Sequence, residues 1–199
     1  KVKNAVVRNL TVYGDVSSSK AGDAVVGGIV GTLDPNSFIV NCTSHVDVTY
    51  NNTTKSAKGV GGIAGYLYAG STNAGTVIKN CTNYGAVSSF SGGNEAAVGG
   101  IVGIVHDSGA GICEVVCCKN YGEVSGQGVK VGGIAGCLNQ AKSGGGAEIV
   151  NCMNCGDVTS TMGRMGGIVG YVYSLSATDG KEPNIRFCLN KGDVTTDVG

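Results

Sequence analysis

Apolar residues alternate with glycine or small polar residues in short runs that return along the chain. Ile29, Gly31 and Leu33 share one parity, and the alternation recurs at Ile63, Gly65 and Leu67 and again at Ile168, Gly170 and Val172. Period two is the pattern of a strand with one buried face. No segment holds apolar residues at the three-four spacing of a helix for more than a turn. The run belongs to the phrase Val-Gly-Gly-Ile-Val-Gly at 26–31, and close copies begin at Val60, Val98, Val131 and Met165, spaced 34, 38, 33 and 34 residues apart.

A second phrase, well represented by 149–158, lies between successive copies. In it an apolar residue (Val7, Ile39, Ile78, Val115, Ile149, Ile185) stands three positions before Leu10, Cys42, Cys81, Cys118, Cys152 or Cys188. The two have opposite parity, so both face inward only if the chain bends between them. Asn9, Asn41, Asn80 and Asn151 stand at that bend, and Asn is the residue besides Gly that best tolerates the left-handed backbone of a tight turn. A further turn is expected at Asn83-Tyr84-Gly85, Asn120-Tyr121-Gly122, Asn154-Cys155-Gly156 and Asn190-Lys191-Gly192, returning Val87, Val124, Val158 and Val194 to the core. Val46 stands where the first full repeat lacks that glycine, and a widened corner is expected there.

Identical strands recurring every 33–38 residues can stack as parallel ladders, each coil about 4.8 Å above the last. The expected fold is all-β: one parallel β-solenoid (β-helix), right-handed, of about five coils, forming a single domain over 1–199. Antiparallel hairpins at the Asn-x-Gly turns are the alternative. Polar connections of variable length at 17–23, 51–59, 69–76, 89–96, 108–111, 139–146 and 174–183 join the strands. The chain opens inside a repeat and reads as a fragment of a longer protein.

Composition narrows the function classes. Thirty-six glycines far exceed ordinary usage of about 7%, and their recurrence marks them as structural: Gly28, Gly31, Gly62, Gly65, Gly100, Gly103, Gly133, Gly136, Gly167 and Gly170 permit close backbone approach. Gly-Gly-x-x-Gly is no phosphate loop, because no Lys-Ser/Thr follows it. With 14 basic and 14 acidic residues there is no positive field for nucleic acid, and no 18-residue apolar run suggests a membrane span. Of nine cysteines, those at Cys42, Cys81, Cys118, Cys152 and Cys188 occupy one apolar repeat position and are expected to be buried free thiols, with disulfides or a metal site as alternatives. Asn41, Asn80 and Asn151 are the matching structural corners.

Few residues invite chemistry. His45 and His106 have no recurrent acidic partner, and His106 falls in a variable connection. Asp15, Asp47, Glu123, Asp157 and Asp193 form a column interrupted by Ala86, read as solvated charge, with bound calcium as the alternative; no other cofactor is expected. Tyr13, Tyr84 and Tyr121 share a repeat position with His45, Cys155 and Lys191. Such mixed chemistry marks an outward site, and an aromatic column there is the candidate for contact with sugar rings.

Aligned, Gly28-Ile29-Val30-Gly31, Gly62-Ile63-Ala64-Gly65, Gly100-Ile101-Val102-Gly103, Gly133-Ile134-Ala135-Gly136 and Gly167-Ile168-Val169-Gly170 resemble the GLUG-motif repeats of bacterial surface proteins. That family carries Gly-Leu-any-Gly, then an Asn-containing strand and a Gly-x-Val turn, and occurs in adhesin-like proteins and beside the catalytic parts of immunoglobulin A peptidases. Here Ile replaces Leu, and cysteine sits where small or aromatic residues are commoner. The resemblance covers nearly the whole chain. It implies a secreted or cell-surface bacterial protein with neighbouring domains on the same chain. The implied role is that of a non-catalytic adhesin-like or spacer domain presenting loops to a host protein or glycan. It transfers no catalytic residue. The competing reading is a carbohydrate-active β-helix enzyme or an accessory domain of a surface peptidase; 14% charged residues and the lack of Trp weigh against the enzyme.

Overall fold

Strands built from these phrases hydrogen-bond in parallel with the corresponding strand of the coil before and the coil after. The computed structural model describes residues 1–54, 57–70, 75–91, 96–127, 129–140, 145–161, 163–174 and 182–196. Among these there is no helix. Of the variable connections, 17–23 and 108–111 lie fully within the described residues; parts of the others fall outside them.

Four ladders run along the stack. The first sheet holds Ala24–Gly27, Ala57–Gly61, Ala97–Gly99, Val129–Gly132 and Gly163–Gly166. The second holds Val30–Leu33, Ala64–Ala69, Val102–Asp107, Ala135–Gln140 and Val169–Ser174. The third, of six strands, runs from Val6–Arg8 to Asn184–Arg186, and the fourth from Thr11–Ser18 to Val194–Thr196. Five strands in each of the first two sheets make a solenoid of about five coils. The Asn-x-Gly turns form no hairpins, because their backbone pairs with the next coil: the Tyr121 N–H donates to the Asn83 carbonyl at 2.8 Å.

The interior divides into two lobes. One, between the second and third sheets, holds Leu67, Ile63, Ile78 and the cysteine column. The other, between the first and fourth sheets, holds the valines Val48, Val60, Val87, Val98 and Val124. At the waist, Gly28 packs on Ser44, and Gly62, Gly100, Gly133 and Gly167 pack on Asn83, Asn120, Asn154 and Asn190, so close that a Cβ on Gly62 or Gly100 would overlap the Asn side chain. These asparagines form a ladder: each Nδ2 donates to the Oδ1 of the next coil's Asn, at 2.8–2.9 Å from Asn83 through Asn154. Each also donates to the glycine carbonyl two residues on, at 2.7–2.8 Å, which folds the turn.

The left-handed corner stands at Asn9, Asn41, Asn80 and Asn151, with φ of 52–55°. Cys117 (φ 54°) and Phe187 (φ 55°) adopt it in the two coils without Asn. Just beyond it, Cys42, Cys81, Cys118 and Cys152 are buried and Cys188 is half-buried, and all nine cysteines are free thiols. Each column thiol lies 3.3–3.4 Å from the carbonyl oxygen two residues before it. Burial pushes the Cys42 and Cys118 thiols up.

The structure corrects three expectations. The glycine phrase is a corner and not the middle of one strand. First-sheet strands end at Gly27, Gly61 and Gly99, and second-sheet strands begin at Val30, Ala64 and Val102. Ile63 and Ala64 are adjacent yet both pack into the same core cluster, which strand alternation forbids and a corner allows. The tightness of that corner requires the first glycine of each pair, since a Cβ on Gly61 would overlap the Ala64 carbonyl oxygen. Gly65, Gly103, Gly136 and Gly170 therefore do not share the inward parity of Leu67; they press on first-sheet backbone. At Val46 there is no widened corner: Thr43–Asn52 is one unbroken strand, with Ser44, Val46, Val48 and Tyr50 all buried. Ser44 has no amide to reach a carbonyl two residues on; it accepts from the Val46 N–H at 3.3 Å, and the chain stays extended. Finally, His106 lies within Val102–Asp107, not in a connection.

Candidate functional site

In-register residues on parallel coils repeat at about 4.8 Å, close to the distance at which aromatic rings stack. Tyr13, His45, Tyr84 and Tyr121 fall into such a column. Successive ring centroids are 4.7, 4.7 and 5.0 Å apart and the planes lie within 8° of parallel. The structure thus brings Tyr13, Tyr84 and Tyr121 together and adds His45. It leaves the interior rings, His45 and Tyr84, without open faces. Although Tyr13 is 75% exposed, Tyr84 49% and Tyr121 41%, interior rings cover one another and turn their edges outward. A sugar ring stacks on an aromatic face, so the column between its ends is an armoured corner rather than a sugar platform.

Two members of the acidic column are engaged with backbone. Asp47 Oδ1 accepts the Ala86 N–H at 2.8 Å, and Asp157 Oδ1 accepts the Asp193 N–H at 2.9 Å. Among the described residues, no group of three or more His, Cys, Asp or Glu side chains is placed to hold a metal ion.

A different surface gathers chemistry. From the Gly-Gly corner the first and second sheets diverge with their outer faces toward each other, forming a cleft along the stack. At its floor, glycines remove the side chains: a Cβ on Gly59 would overlap the Gly65 carbonyl, and one on Gly103 would overlap the Val60 amide. On the second sheet, Tyr66, Ile104, Cys137 and Tyr171 form one register column, and Tyr68, His106, Asn139 and Tyr173 the next. From the first sheet, Lys58 reaches over the Tyr66 ring at 4.4 Å, while Lys130 and Arg164, in register with each other, lie 5.3 and 4.6 Å from the Tyr171 ring centroid.

Tyr66, Tyr68 and His106 form a three-ring cluster with centroids 5.8–6.1 Å apart, and Ser108 Oγ donates to the Tyr68 hydroxyl at 2.9 Å. Burial, reinforced by Lys58, holds the His106 imidazole below its usual range and so favours the neutral ring. Burial pushes the Tyr66 phenol up. Toward the last coils the cleft opens into a cavity of about 270 Å³ lined by Lys130, Cys137, Asn139, Arg164, Tyr171 and Tyr173, none of them acidic. Among the described residues, neither Lys58 nor Arg164 is in an ion pair.

None of these cleft residues was singled out by the sequence patterns as a site. A signal existed: Gly65-Tyr66-Leu67-Tyr68 and Gly170-Tyr171-Val172-Tyr173 are two copies of Gly-Tyr-x-Tyr at one repeat position, with outward parity at both tyrosines.

No family model matches the chain. Over 142 residues, 70% of the chain, it is 32% identical to Halomucin of Haloquadratum walsbyi, of which that match spans 1%. Among solved structures it is similar to a candidate immunoglobulin A1 protease from Bacteroides ovatus, with a TM-score of 0.56 and 25% identity over 93% of this chain and 60% of that one. No helix among the described residues is long and apolar enough to cross a membrane. What the Bacteroides protein shares with nearly the entire chain is the architecture, so a parallel coil stack of this kind is also found within a longer protein.

Proposed function

We propose that the chain is a non-catalytic repeat module of a secreted or cell-surface protein, a stiff spacer that also holds a host protein or glycan along its flank. The cleft between the first and second sheets carries this reading. It runs across several coils and is furnished with tyrosines, cations, an amide and an imidazole, which is the equipment of recognition. The names of both similar proteins fit an extracellular setting, and so does the GLUG-like pattern. Flanking domains on the same chain belong to this proposal.

The Bacteroides likeness favours one variant of it, in which the module is an accessory segment beside a surface peptidase. A carbohydrate-active enzyme would need paired carboxylates facing a groove. Here Asp47 lies within a fourth-sheet strand and Asp157 directly before one, and both bond to backbone. Binding is tested by immobilising the chain and presenting neutral and acidic polysaccharides, a mucin-type glycoprotein and immunoglobulin A1. Saturable binding with intact analytes is the expected result. Release of reducing ends or cleavage of the antibody by the purified chain would overturn the reading.

A further inference from the structure

We propose that the cleft is a subsite for an acidic polysaccharide, a chain of sugars bearing carboxylate or sulfate groups, laid parallel to the stack axis. This names the ligand class for the binding module above and rests on that reading. Three observations converge. The first is charge: Lys58, Lys130 and Arg164 project into the cleft, Lys58 and Arg164 form no ion pair among the described residues, and none of the described residues lining the cavity beside Arg164 is acidic. Seated against tyrosine rings, these cations are partly oriented before any anion arrives, and a guanidinium can still direct two N–H groups at one carboxylate or sulfate.

The second is spacing. Lys130 and Arg164 are register partners on adjacent coils, about 4.8 Å apart along the axis, and Lys58 sits two coils before Lys130. One coil is close in length to one pyranose residue of an extended glycan, so Lys130 and Arg164 are spaced to the period of the ligand, while Lys58 stands one position off their register.

The third is the kind of donor on offer. A peptide that bound by adding a strand would need an open sheet edge for its backbone, whereas the cleft walls are sheet faces whose N–H and C=O groups pair with neighbouring coils. What reaches the cleft is the Asn139 amide, tyrosine hydroxyls and the Ser108 hydroxyl, which suit sugar hydroxyls.

Affinity electrophoresis and calorimetry on the whole chain test this with polygalacturonate (carboxylate), chondroitin sulfate (both groups), dextran sulfate (sulfate), neutral dextran and poly-glutamate. The expected result is retardation by one or more acidic glycans, weakening with salt, and none by dextran. The Lys130→Gln/Arg164→Gln variant should lose about tenfold in affinity, whereas Lys191→Gln, on the far column, should not. Melting curves of both variants should match the parent, because Arg164 is exposed and Lys130 half-buried.

The inference falls if poly-glutamate binds as well as the glycans, if Lys191→Gln weakens binding as much as the double variant, or if no acidic glycan binds. If dextran or the glycoprotein binds in a Lys130- and Arg164-independent way, the ligand class is wrong while the binding-module reading stands. Release of reducing ends from any probe removes the reading itself.

Discussion

Cys152 carries its Sγ 3.4 Å from two carbonyl oxygens, those of Val150 in its own coil and Val115 in the coil before. A serine there would find an acceptor at hand, so the penalty of about 1–3 kcal/mol for burying an unsatisfied hydroxyl does not apply. Cys152→Ser is expected to cost only about 1 kcal/mol, the order of the lost apolar transfer. Cys152→Val, which keeps the apolar character, should fall in the same range by urea unfolding. A Ser variant clearly worse than Val would show that the hydroxyl fails to reach either carbonyl. Repetition down five coils made the column legible in the sequence. Its acceptors were not legible, since they come from the left-handed bend that turns the Val150 carbonyl onto the column. Glycine gives a sharper contrast. A Cβ on Gly100 would overlap both Asn120 and the Gly133 carbonyl, whereas one on Gly146 meets nothing within 4 Å. Gly100→Ala should destabilise by at least about 2 kcal/mol. Gly146→Ala should be neutral or stabilise by about 0.4–1 kcal/mol. Paired melting curves decide it, and equal behaviour would mean the waist is looser than its geometry.

Elements here are defined as much by their corners as by their strands. Alternation revealed parallel strands because every copy repeats the same parity. It missed the Gly-Gly corner because adjacent inward residues such as Ile63 and Ala64 look like noise to a period-two pattern. The cleft was missed for the same reason: Tyr66 and Tyr68 are recognisably outward, but only the corner reveals that another sheet's cations face them. The Asn corner is the best place to perturb an element without touching a site. Cys117 holds φ 54° where the other described coils up to it use Asn, and left-handed backbone costs an ordinary residue about 1–2 kcal/mol. Cys117→Asn relieves much of that. It also extends the exposed amide ladder in which Asn80 Nδ2 donates to Asn41 Oδ1 at 3.2 Å. A gain of about 1 kcal/mol in chemical denaturation is expected, and an unchanged midpoint would mean the stack imposes the corner at no cost to its occupant.

For the whole molecule, the decisive property is that each coil touches only its neighbours, so stability is close to a sum over coils and their interfaces. Val98 and Val131 are register partners, and excising 98–130 joins Ala97 to Val131 with every column kept in step. Asn83 would then donate to Asn154 in place of Asn120, Gly62 would meet Gly133 in place of Gly100, and Ile63 would pack on Ile134 in place of Ile101. The shortened chain should keep a β-sheet spectrum and unfold cooperatively. Its denaturant slope should be smaller by roughly the share of surface that one coil buries. Removing 98–129 instead leaves one extra residue beside the 89–96 connection, whose length already varies between repeats, so the next strand keeps its register. That variant should fold as well, and it keeps Lys130. The in-register excision also deletes Lys130, leaving Arg164 without its neighbouring cation. A folded chain with weakened retardation by acidic glycans is therefore the outcome that joins stack and cleft in one experiment, and a chain that loses its fold in both excisions would refute the nearest-neighbour picture from which it is drawn.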